Sequence, residues 1–144
     1  MRVHASCAAR SGPNGYDAVL FLGRPGAGKS DMLLRLIHAG WVLVADDQVN
    51  IERGIASAPP ELAGVLEVVG LGLFHLPYLR SACLRLVIRL GLPLERLPHP
   101  ERDEDLNLPV VTIDAGAISA VERATIALEA ACGRVSQVAG AFAI

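Results

Sequence analysis

The sequence predicts an α/β domain built on a mixed β-sheet, and three stretches carry that expectation. In "DAVLFLGRPGAGKSD", residues 17–31, an apolar run of strand length meets a glycine-rich loop and then a helical pattern. In "WVLVADDQVNIERGIASAP", residues 41–59, an apolar strand is followed by two short runs around Glu52-Arg53-Gly54. That is the pattern of a hairpin, not of a strand-to-helix crossover, so the sheet is expected to mix directions. "LPVVTID", residues 108–114, is a last strand ahead of a second helix.

The bulk numbers agree with one domain over residues 1–144. At 52% apolar content the chain can bury a core, and with aromatics at only 4% that core must be Leu, Val, Ile and Ala. The net charge is −2 and no block of like charge stands out, which argues against a nucleic-acid surface or a polybasic membrane patch. The apolar runs are too short to span a bilayer, and residues 1–15 lack the apolar segment of a secretory signal. Cys7, Cys83 and Cys132 are odd in number and far apart. Neither a disulfide framework nor a zinc site is expected; reduced cysteines in a cytoplasm are.

Taken in order, residues 2–9 read as a strand and Pro13-Asn14-Gly15 as the centre of a turn. Residues 17–23 are the strand before the glycine loop. Residues 28–39 read as a helix with Met32, Leu33, Leu36 and Ile37 on one face and Asp31, Arg35 and His38 away from it. Gly40 closes it. Residues 41–47 form a buried strand ending in Asp46 and Asp47. Pro59-Pro60 breaks the hairpin that follows. Residues 64–74 read as a strand kinked at Gly70-Leu71-Gly72. Residues 82–91 alternate, with Leu84, Leu86, Ile88 and Leu90 on one face and Arg85 and Arg89 on the other, as in a half-exposed strand. Residues 92–106 are rich in Pro and charge and read as a long loop. Ser119 and Glu122 form a capping box for a helix to about Cys132, closed by Gly133. The apolar end "VAGAFAI" is expected to pack on the body or on another subunit.

Gly23, Gly28, Lys29 and Ser30 satisfy G-x-x-x-x-G-K-[ST] within the stretch Gly23, Arg24, Pro25, Gly26, Ala27, Gly28. Glycines let a backbone wrap an anion with its N–H groups inward, and the helix N-terminus adds partial positive charge. In such a loop the lysine reaches the terminal phosphates of a nucleotide and the hydroxyl can ligate Mg²⁺. Asp46 and Asp47 follow on the next strand and are expected close to the loop. Phosphoryl transfer needs one carboxylate for Mg²⁺ and another to accept a proton from the attacking hydroxyl. Neighbours on a strand point to opposite faces, so only one can aim at the phosphate unless the strand has ended. Glu67, inside "VLEVVGLGL", is a third acid; it is either a Mg²⁺ ligand or an exposed-face residue of a half-buried strand.

"GRPGAGKSD", "LVADDQV" and "LEVVGLGLF", in this order, resemble the nucleotide loop, the "VADD" strand and the "EIRGLG" signature of bacterial HPr kinase/phosphorylase. The resemblance covers about residues 2–131 and is to the catalytic domain alone. It implies a fold related to the carboxykinase P-loop proteins and transfer of a phosphoryl group from ATP, or pyrophosphate in some members, to a serine of the phosphocarrier HPr. It implies that Gly23 to Ser30 bind the donor phosphates, that Lys29 neutralises charge in the transition state, and that Ser30 and Glu67 hold Mg²⁺. Asp47 would take the serine proton, with Asp46 beside it. His4, in "RVHAS", matches a histidine that orients the reacting groups; nothing local marks it otherwise. Arg96, in "LERLP", is matched to a later catalytic arginine, although by itself it is equally a solvated loop residue. A hexamer is implied as well.

The chain departs from the family pattern at several points. Val69 stands where the signature has arginine, and Asp31 where glutamate is common. The segment between Asp47 and Glu67 is short. The late loop that supports dephosphorylation in the family is "DAGAISA" here, which removes support for the reverse reaction and leaves the kinase. These changes resemble the short, single-domain members. Two other readings compete. One is a small-molecule kinase of the nucleoside-monophosphate type, opposed by the hairpin after Asp47 and by the lack of an Arg-rich lid. The other is a regulatory module that binds nucleotide without turning it over, favoured by Val69 and opposed by the intact Lys29, Ser30, Asp46, Asp47 and Glu67.

Overall fold

The computed structural model describes residues 1–143. The main sheet has nine strands. Its path runs β1 (Arg2–His4), β5 (Gln48–Glu52), β6 (Ile55–Ser57), β9 (Ala82–Leu90), β3 (Gly15–Leu22), β2 (Ser6–Gly12) and β4 (Val42–Ala45). β11 (Leu108–Ile113) also pairs with β9, and β10 (Arg102–Asp103) pairs with β11. β3, β9 and β11 are parallel, and every other pairing is antiparallel. The expected α/β class with a mixed sheet therefore holds. Two helices pack on it, α1 (Lys29–His38) and α2 (Ala120–Ala131).

Both faces of the sheet are buried. On one face Val19, Phe21, Leu86 and Ile88 pack with Met32, Leu33 and Leu36 of α1 and with Ala124 and Leu128 of α2. On the other, Cys7, Leu20, Leu84 and Val87 pack with Val44, Val49, Ile51 and Ala56. No helix covers that second face; the sheet folds over itself. The fold line is a corner where two strands bend together. Residues 2–9 do not form one strand: β1 and β2 are separated at Ala5, opposite Asp46 and Asp47. Across the corner, β2 pairs with β4 and β1 pairs with β5. Ala5 is fully buried there and its N–H donates to the Asp47 carbonyl at 3.2 Å. Asp47 takes φ 71°, a left-handed backbone that Asp tolerates better than most residues.

Other expectations need correction. Residues 64–74 are not one kinked strand. β7 (Val65–Val68) and β8 (Gly72–His75) form a separate hairpin, with Val69-Gly70-Leu71 at its tip. Gly70 at φ 87° and Gly72 at φ 120° supply the positive φ that reverses the chain. β9 is not half-exposed. Its pairing with β3 slips between Ala18 and Val19, so that Arg85 is an extra, bulged residue. The bulge reverses the alternation: Leu84 faces the folded-over sheet while Leu86, Ile88 and Leu90 face the helices. The loop at 92–106 contains the short β10. The capping box of α2 does not form. Ser119 sits at φ −94°, ψ 21°, away from the extended backbone a capping side chain needs, and its hydroxyl instead accepts from Arg123 Nε at 2.9 Å. Gly133 at φ 74° does end that helix.

The hairpin at Glu52-Arg53-Gly54 is present, with Arg53 and Gly54 both at positive φ as a tight two-residue turn demands. Phe142 of the apolar end packs against the helix-side core; Ile144 lies outside the described residues.

An ion-pair cluster ties the end of α2 to the sheet. Asp17, almost fully buried, accepts from Arg85 Nε at 3.2 Å and Arg134 Nη2 at 3.0 Å. Glu129 accepts from Arg134 Nε at 2.7 Å and Arg10 Nη1 at 2.6 Å. The hydrogen bond from Arg134 holds the Glu129 carboxyl below its ordinary range. A carboxyl depressed in the folded state contributes stability above its unfolded pKa and loses it as pH falls through the folded one. Urea midpoints should therefore place Glu129→Gln below the parent at about pH 7, with the gap closing near about pH 3. A gap unchanged by acid would mean that the charge contributes nothing.

Candidate active site

The glycine-rich loop leaves the C-terminal end of β3 and enters α1. Gly26 at φ 86° and Gly28 at φ 98° need the left-handed backbone that only glycine adopts freely. Gly23 is required for space: a Cβ there would come within 2.9 Å of Ala27 Cβ and 3.2 Å of the Leu90 carbonyl. No side chain caps the N-terminus of α1, so its first N–H groups stay available at the loop. Lys29 Nζ donates to the Gly23 carbonyl at 2.5 Å and the Arg24 carbonyl at 3.2 Å, which holds the ammonium against the loop.

Asp46 is the hub. It is 5% exposed, and Ser30 Oγ donates to its two carboxylate oxygens at 2.9 and 3.0 Å. Ser6 Oγ, fully buried, donates to the same carboxylate at 2.7 Å. The Glu67 N–H approaches it at 3.5 Å. Asp46 therefore joins the loop helix, the β1–β2 corner and the β7–β8 hairpin. Asp47 differs. Its strand ended at Ala45, so the alternation rule no longer separates the two acids, and Asp47 stays exposed beside Asp46.

One cleft of about 610 Å³ gathers His4, Ser6, Lys29, Ser30, Asp46, Asp47, Glu67 and Val69 along the glycine loop. His4 and Glu67 are exposed residues on its walls, from β1 and β7. For Glu67 the exposed-face reading and the cleft reading are both true: β7 buries Leu66 and turns Glu67 outward, into the cleft. Arg96 is not brought there. It lines a different cavity, with Arg123, Gln137 and Phe142. Val69 and Asp31, the positions that depart from the family pattern, both line the cleft.

Ser6 is the residue the sequence reading missed. It is one small polar residue in an apolar strand, and only the pairing of β2 with β4 brings it to Asp46. Ser6→Ala removes a hydrogen bond to a charged group, worth about 2 kcal/mol. The expected result is a lower urea midpoint at unchanged m-value; an unchanged midpoint would mean that the bond stabilises nothing.

Comparison with known proteins gives the context. The family model described as the HPr serine kinase C-terminal domain matches residues 16–90, from β3 through β9. The HPr kinase/phosphorylase of Azoarcus sp. (strain BH72) is 36% identical over a match covering 81% of this chain and 39% of the relative. That of Leptothrix cholodnii is 36% identical over 72% of this chain and 39% of the relative. That of Clostridium tetani is 37% identical over 60% of this chain and 30% of the relative. The chain thus spans well under half the length of these curated relatives. The Hpr(Ser) kinase/phosphatase structure from Coxiella burnetii superposes with a TM-score of 0.70 over 92% of this chain and 95% of that one, at 22% identity, a likeness of fold. With its family model spanning more than half of the sequence and centred on the glycine loop and the acidic corner, the chain belongs to the HPr serine kinase C-terminal domain family.

Proposed function

We propose that this chain is a single catalytic domain that transfers the terminal phosphoryl group of ATP to a serine of an HPr-type phosphocarrier protein of a bacterial phosphotransferase system. The observation that carries the reading is the hydrogen bond from Ser30 to buried Asp46 at the mouth of the glycine loop. A hydroxyl that gives its hydrogen to a carboxylate keeps its lone pairs for a cation. The loop N–H groups and the α1 N-terminus suit the donor phosphates. The sheet, with antiparallel β2 and β4 beside β3, is read as a carboxykinase-type P-loop domain.

The donor set fits Mg²⁺, which prefers oxygen ligands and takes one or two protein carboxylates together with substrate phosphates. Ser30 and Glu67 would hold it; among the described residues no cluster of three His, Cys, Asp or Glu forms a complete cage. When bound, the ion would neutralise charge on the donor phosphates. Asp46 orients Ser30 and stays out of the proton transfer. Asp47, exposed in the cleft, accepts the proton of the acceptor serine as its oxygen attacks the terminal phosphorus. ADP leaves with the electrons of the broken P–O bond. Lys29 follows the charge on the transferred group, and His4 orients the reactants from the opposite wall. Arg96 has no place in this set within one chain.

The reading is forward only, because "DAGAISA" at 114–120 is short and its Ala115 and Ala117 carbonyls are tied to Arg35 of α1. Free Cys7, Cys83 and Cys132 suit a reducing cytoplasm as the site of action. Among the described residues no helix is long and apolar enough to cross a membrane. A homo-oligomer, a hexamer by resemblance to the family, is the proposed assembly.

The test mixes the chain with Mg-ATP and an HPr-type protein and weighs the acceptor intact. A gain of one phosphoryl group, located on a serine, supports the kinase. No gain while nucleotide binds tightly would replace it with a regulatory binding module, the reading that Val69 in the cleft favours.

A further inference from the structure

The glycine loop separates two cavities. The acidic cleft lies on the side of β2 and β4. A second cavity, of about 630 Å³, lies on the side of β9. Gly23, Pro25 and Gly26 line both, so an extended ligand can cross the loop from one to the other. The second cavity has a different chemistry. Its walls are apolar at Leu22, Pro25, Leu90 and Leu92, its charged groups are Arg24 and Arg89, and no carboxylate lines it. The turn that closes it is built close against the loop. Gly91 sits at φ 80°, and a Cβ there would stand 3.3 Å from Ala27 Cβ. Arg89 is held at the wall by Glu101, which accepts from Nη1 at 3.0 and 3.1 Å. Arg24 stands exposed on the shoulder of the loop.

We infer that this second cavity receives the nucleoside end of the donor nucleotide, an inference that rests on the phosphate-loop reading above. The acids, Lys29 and Ser30 fix where the reacting phosphate must lie. The rest of a nucleoside triphosphate then has to leave the cleft across the loop. Its far end is an uncharged, planar heterocycle, which matches apolar walls and a guanidinium that can lie flat on a ring. The walls carry no aromatic ring, so Arg24 is the stacking partner, and Leu92 closes the mouth.

Calorimetry on the full chain, with Mg-ATP and Mg-pyrophosphate as separate probes, tests this. Leu92→Trp fills the mouth and should weaken Mg-ATP by about tenfold while leaving Mg-pyrophosphate within about twofold, since only the first has a nucleoside to place. Arg24→Ala should act in the same direction. Leu92 is half-exposed, so the substitution should be tolerated. If it nevertheless costs both ligands, photolabelling the unaltered chain with 8-azido-ATP decides. Label on 22–27 or 89–92 supports the assignment, and label on the β7–β8 hairpin or the β1–β2 corner overturns it. Equal affinities in parent and Leu92→Trp for both probes would also overturn it. An unaltered chain that binds neither probe would instead remove the phosphate-loop reading on which the assignment rests.

Discussion

Lys29→Ala should reduce phosphoryl transfer by about 10³-fold while leaving the fold in place. Transfer spreads negative charge over the oxygens of the moving group, and a positioned cation counts for most in that state. Lys29 is the cation at the loop itself. Its ammonium is half-buried and held only by the carbonyls of Gly23 and Arg24, so it is already within the loop that would carry the anion. Those two contacts do not support the core, and α1 remains anchored by Met32, Leu33 and Leu36. The thermal midpoint should therefore stay near that of the parent. Single-turnover transfer to the HPr-type acceptor, followed by intact mass, reads the effect. Parental rates in Lys29→Ala would take the glycine loop out of the mechanism.

Asp47→Asn should lower the rate by about 10²- to 10⁴-fold, the range for loss of a general base, with nucleotide affinity kept. The substitution is structurally mild. Asp47 sits at φ 71°, and Asn tolerates the left-handed region as well as Asp does. The bond that secures the corner, from the Ala5 N–H to the residue 47 carbonyl, belongs to the backbone and survives. Only the ability to accept a proton is lost. Asp46→Asn is a different experiment, because Asp46 accepts from Ser6, Ser30 and Glu67, and an amide nitrogen there would face donors. Nucleotide titration separates the outcomes: if Asp47→Asn loses binding as well as rate, Asp47 is a ligand or a structural residue and not the base.

The local signals in the sequence were of two kinds, and both held. Glycines at 23, 26 and 28 ahead of Lys29 and Ser30 specify a loop that only glycine geometry permits. The apolar periodicity of 29–38 specifies the helix behind it. The hairpin at Arg53-Gly54 was legible because its turn residues are local as well. What failed depended on partners distant in the chain. The bulge at Arg85 arises because β3 and β9 must pair around the buried Asp17, and it inverted an alternation that looked regular. Gly70 and Gly72 marked an irregularity, but a kink and a hairpin differ only in whether β8 folds back on β7. The division of labour between Asp46 and Asp47 was likewise out of reach. Two adjacent acids are equivalent in sequence until the end of β4, the corner at Ala5 and the hydroxyls of Ser6 and Ser30 bury one and expose the other. Sequence alone determined the chemical inventory of the site, because residue type and short spacing set what a loop can bind. Tertiary structure decided which groups share the cleft, which carboxylate orients and which is open to accept a proton, and that Arg96 stands elsewhere. Burial and hydrogen-bond partners come from strands that meet only when the sheet folds over.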